Sequence, residues 1–133
     1  MKQRRLLFAA LVCTLLFTLA AVAQESGYWR ASSTSAKSIT GDVSFSSLKV
    51  SFNYSAFTIA QIRTLQPAEA AALFSADNTA PGAGNLYRVD IPASKHFLHH
   101  NSLCGSEDTA WVITWVQGHT LQLALFSGAA LPP

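Results

Sequence analysis

Beyond residue 38 the chain is written mostly in period two. Val43 and Phe45 alternate with Asp42, Ser44 and Ser46. After Ser46-Ser47 the alternation resumes, with Leu48, Val50 and Phe52 set against Lys49, Ser51 and Asn53. Successive side chains of a strand point to opposite faces, so both runs predict half-buried antiparallel strands joined by a tight connection. A third run, Ala56 to Leu65, changes the parity of its apolar positions between Ile59 and Ile62, which predicts a bulge or bend near Ala60-Gln61. The period then switches. Gln66-Pro67-Ala68-Glu69 opens a helix, because Pro67 suits the first helical position and Glu69 the positive helix end. Ala70 to Phe74 continues it as a strong helix former, for about two to three turns. Asp77 to Gly84 reads as a loop with Pro81-Gly82 at its turn. Leu86 to Ile91 is the fourth strand, and Pro92 to Leu103 reads as a short helical segment. Ala110 to Gln117 is apolar on both faces, as expected of a central strand covered on both sides. Gly118-His119 turns the chain, and Thr120 to Phe126 returns as the last strand. The pattern predicts an α+β domain: a mostly antiparallel sheet of about six strands, a curled sheet or small sandwich, with one or two short helices.

The start of the chain follows a different rule. Lys2, Arg4 and Arg5 precede an uncharged, mostly apolar run from Leu6 to Val22, and Ala21-Val22-Ala23 then presents small residues where a signal peptidase reads them. Residues 1–23 therefore read as a cleaved secretory signal peptide of bacterial type. An uncleaved anchor is the competing reading, at the short edge of what spans a bilayer. A lipoprotein signal fits poorly, since Ala10-Leu11-Val12 lacks the small residue needed next to Cys13. The expected location is the periplasm or the extracellular space, with membrane contact only through the signal before cleavage.

Removing the signal changes the charge. Of the nine Lys and Arg residues six remain, against seven Asp and Glu, for a net charge of −1 with His neutral. The basic balance of the precursor belongs to its signal. No electrostatic case remains for nucleic acid or for an anionic membrane surface. The low charged fraction, 12%, and the hydrophobic fraction of 50% also exclude a disordered tail or a coiled coil. Residues 24–38 read as a flexible polar lead-in, with Tyr28 and Trp29 either docked on the domain edge or forming a contact surface. Residues 39–133 read as a single globular domain, large enough to bury a core without staples.

Four stretches carry a resemblance: LQPAEAAALF (Leu65 to Phe74), GNLYRVDIP (Gly84 to Pro92), KHFLHHNSLCGSED (Lys95 to Asp108) and LQLALFSG (Leu121 to Gly128). Over residues 39–128 the chain resembles a group of small exported bacterial proteins without assigned function. The resemblance implies a longer C-terminus holding a second Cys, so this chain reads as a shortened member whose Cys104 lacks its partner. It implies no activity and carries over no catalytic residue.

The densest polar constellation is Lys95 to Asp108. His96, His99 and His100 have the spacing that places them on one face of a helical turn, and Cys104 follows. Imidazoles and a thiolate converging on a point suit zinc or copper, so these four residues are the candidate metal ligands. The alternative is that the histidines are exposed or cap the segment. Cys104 with His100 also has the composition of a thiol nucleophile and its base, without an identified orienting group. An odd cysteine in an exported chain is otherwise a structural remnant or an intermolecular disulfide. Glu107 and Asp108 are adjacent and diverge on a strand, which suits capping better than acid–base work. Gly82-Ala83-Gly84 is too short to cradle a phosphate. Trp111, Trp115 and Phe126 line either a ligand cleft or the core, and the spacing of the two tryptophans favours the core. Asn53-Tyr54-Ser55 matches a glycosylation sequon, which has no use in a bacterial host.

Together these features lead to the expectation of an exported envelope protein, a non-enzymatic binding or inhibitor-like module whose partner is an envelope protein or a small ligand. A metal-binding protein built on His96, His99, His100 and Cys104 is the alternative, and a thiol-dependent enzyme the second.

Overall fold

A computed structural model describes residues 25–76 and 81–128. The expected signal peptide lies outside them, as do Asp77 to Ala80 of the expected loop and the stretch after Gly128. The elements in chain order are β1 (Gly27–Trp29), α1 (Thr34–Ser38), β2 (Val43–Phe45), β3 (Lys49–Phe52), β4 (Ser55–Thr64), α2 (Pro67–Phe74), β5 (Asn85–Ile91), a single 3₁₀ turn (Leu98–His100), β6 (Thr109–Gln117) and β7 (Thr120–Ser127). The strands form one antiparallel meander in the order β1-β2-β3-β4-β5-β6-β7. No helix among the described residues is long and apolar enough to cross a membrane.

The six strands expected from period two are present, with β1 added at the edge. The segment 24–38, expected to be a loose lead-in, contains two ordered elements. Tyr28 stands opposite Ser44 where β1 pairs with β2. Ser33 caps α1, its Oγ accepting from Ala36 N at 3.0 Å. The reason is local: a three-residue strand has no room to display a period, and a Ser cap needs none.

Strand β4 changes partner along its length. Ser55 to Thr58 pair with β3, whereas Ile59 to Thr64 pair with β5. The register slips between Gln61 and Arg63, so the expected bulge falls at Ile62. This handover lets one sheet curl into a half-barrel. The curl leaves Ile62 exposed and buries Ile59.

Each face has its own core. On one face Phe45, Val50, Phe52, Ile59, Tyr87, Val89 and Val112 pack together, with Phe97 and Leu103 laid against them. Phe97 meets Phe52 edge to face at 6.0 Å between ring centroids. On the other face Leu86, Trp111, Ile113 and Trp115 pack under α2, which buries Ala70 and lays Leu73 and Phe74 on them. Strand β6 serves both faces and is buried from Trp111 to Val116, as its doubly apolar sequence predicts. Trp111 and Trp115 are therefore core residues, and the cleft reading of this pair is set aside. Helix α2 begins as its sequence predicts: Pro67 occupies the first turn, and Glu69 Oε1 accepts from Gln66 N at 3.1 Å.

The stretch from Pro92 to Leu103 is not helical beyond its one 3₁₀ turn. His99 and His100 have φ of 53° and 61°, in the left-handed region, so they do not continue a helix.

Candidate functional site

The β3–β4 hairpin closes on the pair Phe52–Ser55, leaving Asn53 and Tyr54 as its turn. Both have positive φ, 47° and 71°. Two left-handed residues in sequence are what a type I′ hairpin requires, and the favoured occupants are Asn followed by Gly. Asn53 fits that preference and Tyr54 violates it. A left-handed conformation costs a residue with a Cβ about 1–2 kcal/mol. Packing does not offset this, because Tyr54 is 88% exposed.

A second exposed tyrosine stands beside this tip. Tyr28, on β1, is 58% exposed, and its hydroxyl donates to Asp42 Oδ2. The other carboxylate oxygen, Oδ1, accepts from Ala31 N at 2.8 Å. The Asp42 carbonyl accepts from Asn53 N at 2.9 Å, which ties the clamp to the hairpin. Asp42 thus holds the Tyr28 ring and the turn that presents Tyr54 in a fixed relation. The hydrogen bond from Tyr28, and then that from Ala31, lowers the Asp42 carboxyl from its ordinary range. The same bond to Asp42 pushes the Tyr28 phenol up to about 12, with the charge of Arg30 acting in the opposite sense and Tyr54 close enough to contribute. The result is an end of the sheet that displays Tyr28, Tyr54, Arg30 and Asp42. Tyr and Arg are the residues over-represented in the energetic centres of protein interfaces.

A buried polar cluster lies elsewhere. Glu25 is 2% exposed. Its Oε1 accepts from Asn85 Nδ2 at 2.7 Å and from the Tyr87 hydroxyl. Gln61 Nε2 donates to Asn85 Oδ1 at 3.0 Å, and Asn85 N donates to Thr114 Oγ1 at 3.0 Å. Burial, and then the bond to Glu25, raises the Tyr87 phenol above its ordinary range. The Trp29 indole donates to the Glu25 carbonyl at 2.9 Å, so β1 is anchored through the same residue. This cluster fastens the first described residues under the sheet.

The candidate ligands His96, His99, His100 and Cys104 are not assembled into one site. His96 and His100 stack, with ring centroids 3.9 Å apart and planes 14° from parallel. The nitrogen lone pairs of stacked imidazoles lie in the ring planes, so they do not converge on a point between the rings. His99 is turned by its positive φ, which removes the helical face that the spacing presupposed. Cys104 forms no disulfide among the described residues, and its thiol accepts from Thr109 Oγ1 at 3.2 Å, on the start of β6. Among the described residues no three His, Cys, Asp or Glu side chains are grouped to hold a metal ion. The expected zinc or copper site is thus reduced to a stacked histidine pair and a separate thiol. Asp108 caps a turn, its Oδ1 accepting from Ala93 N at 2.7 Å.

Tyr28 was weighed from the sequence as part of a contact surface, but Tyr54 was missed, although a signal for it exists. Asn53-Tyr54 lies between two alternating runs with room for a two-residue turn, and Asn favours such turns. The sequon reading of Asn53-Tyr54-Ser55 drew attention to the right residues for the wrong chemistry. Comparison with family models, curated proteins and solved structures finds no match to the chain.

Proposed function

We propose that the protein is exported to the bacterial envelope, with cleavage between Ala23 and Gln24, and acts there as a non-enzymatic binding or inhibitor-like module. Its partner is an envelope protein, contacted through the end that displays Tyr28 and Tyr54. The observation that carries this reading is Tyr54 itself. A hairpin tip that glycine would occupy without strain is given to a tyrosine held out in solvent. Strain of this kind, kept without a packing return, is a mark of contact sites. Tyr28, clamped by Asp42, adds a second ring whose ordering cost is already met before a partner arrives.

Tyr54→Gly tests the reading. The substitution relieves the left-handed strain and is expected to stabilise the fold by about 0.5–1 kcal/mol in denaturant melts. It is also expected to abolish capture of the partner that the unaltered protein retains from an envelope extract. A variant carrying both Tyr54→Gly and Tyr28→Ala that still retains that partner removes this end from the binding surface. Export is tested separately, by N-terminal sequencing of the envelope fraction. The expected first residue is Gln24, and a chain still beginning at Met1 in the membrane refutes cleavage.

A further inference from the structure

Strand β7 ends the sheet. It pairs with β6 in one register from Thr120 opposite Gln117 to Phe126 opposite Trp111, slips by one residue on β6 before Ser127 meets Thr109, and no described strand pairs with its outer edge. The Gly118-His119 turn determines which backbone groups face outward. Gly118 has φ of 57°, which suits a two-residue hairpin with Gly first, and Gln117 and Thr120 form its closing pair. The closing pair of such a hairpin exchanges both hydrogen bonds, and bonded pairs then alternate along the ladder. Thr120, Gln122, Ala124 and Phe126 therefore turn their backbone groups to β6. Leu121, Leu123 and Leu125 turn theirs to the open edge.

Natural edge strands are protected by short length, charge, proline or bulges. The opposite edge, β1, has only three residues and is followed directly by Arg30. Strand β7 has eight residues, and no Asp, Glu, Lys, Arg or Pro occurs from Thr109 to Ser127. Leu121, Leu123 and Leu125 pack against the first core yet stay only half-buried.

We propose that this edge is an interface with a second copy of the chain, joined antiparallel about a two-fold axis through Leu123. The occupant follows from the order of residues. Leu121-Gln122-Leu123-Ala124-Leu125 places its leucines symmetrically about Leu123. Antiparallel pairing about that centre sets Leu123 against Leu123 of the second copy, and Leu121 against Leu125 in both directions. All three residues have outward backbone groups, so each facing pair exchanges both N–H···O=C bonds. Their side chains share one face, so the leucine rows of the two sheets run on continuously. Moving the axis to Gln122 sets Leu125 against His119, and moving it to Ala124 sets Leu121 against Ser127. Only the Leu123 centre matches every leucine with a leucine. Such an interface is isologous and closes at two copies, which ends edge-to-edge growth.

The test uses protein carrying Cys104→Ser, so that the native thiol forms no cross-link. Sedimentation is expected to show a concentration-dependent dimer. Leu123→Pro removes an N–H that faces the partner and not β6, and is expected to raise the dimer dissociation constant at least about tenfold. Leu123→Cys is expected to give a disulfide-linked dimer on mild oxidation, because facing bonded residues bring their Cα atoms to about 5.5 Å. Gln122→Cys, on the opposite face and set against Ala124, is expected to give none. A monomer at every soluble concentration overturns the proposal, as does a folded Leu123→Pro variant that dimerises undiminished. If Leu123→Pro does not fold, the cysteine variants decide: cross-linking through Gln122→Cys, or through neither, overturns the pairing about Leu123.

Discussion

The Asp42 carboxylate serves two donors from different parts of the chain, the Tyr28 hydroxyl and the Ala31 amide. Its lowered pKa and the raised pKa of Tyr28 define a pH window for the clamp. A carboxyl depressed by folding contributes fully above its unfolded value, near 3.8, and loses that contribution as pH falls through the folded value. A phenol raised by folding contributes fully below 10.0 and loses its contribution as pH rises through about 12. The clamp is therefore complete across neutral pH and fails at both ends. Asp42→Asn is expected to bring the Tyr28 ring titration, followed by NMR of labelled tyrosine, back toward 10.0. An unchanged titration means that Asp42 is not what holds Tyr28. The clamp was not legible in the sequence. Tyr28 and Asp42 lie 14 residues apart with no shared period, and although the alternating runs leave room for a turn at Asn53-Tyr54, its strain is a backbone angle.

At the scale of elements, the sequence was more informative. Strands β2 to β7 follow from alternation, and β6 from its apolar residues on both faces, because sheet geometry imposes those patterns on any half-buried or fully covered strand. Helix α2 was readable from Pro67 and Glu69, whose positions reflect unsatisfied backbone donors at a helix start. The His96–His100 segment misled for an equally physical reason. Spacing of three and four residues places side chains together only if the backbone is helical, and the left-handed His99 and His100 break that condition. From the sequence Gly84 reads as the end of a loop and as part of a glycine motif too short to cradle a phosphate. Its role is steric: a Cβ there would lie 1.8 Å from the Thr114 carbonyl oxygen on β6. A backbone atom has little room to yield, so Gly84→Ala is expected to destabilise the protein by about 3 kcal/mol or to prevent folding. A denaturant midpoint close to that of the unaltered protein would show that β5 and β6 approach each other less closely than this geometry requires.

At the scale of the whole molecule, Glu25 joins the first described residues to the middle of the sheet. Glu25→Ala removes the buried acceptor of the Tyr87 hydroxyl and leaves Asn85 Nδ2 only its longer bond to the Tyr87 oxygen at 3.3 Å, at an expected cost of about 1.5–3 kcal/mol. Glu25→Gln retains an acceptor oxygen of similar reach and is expected to cost less. Equal melting of the two variants would mean that the loss comes from side-chain volume and not from the hydrogen bonds. In neither variant is the order of strands expected to change, because each strand finds its neighbour without Glu25.

That order bears on how the chain is made. Each strand pairs with the next one in sequence, so the sheet can close hairpin by hairpin as the chain is threaded out from its N-terminus, and no strand waits for a distant one. Glu25 is the exception. Its acceptor oxygen is synthesised early, but Asn85 follows it by 60 residues and Tyr87 by 62. The first described residues are thus among the last to be fastened. Until Asn85 and Tyr87 arrive, Glu25 lacks both of its side-chain donors, and their arrival draws it beneath the sheet.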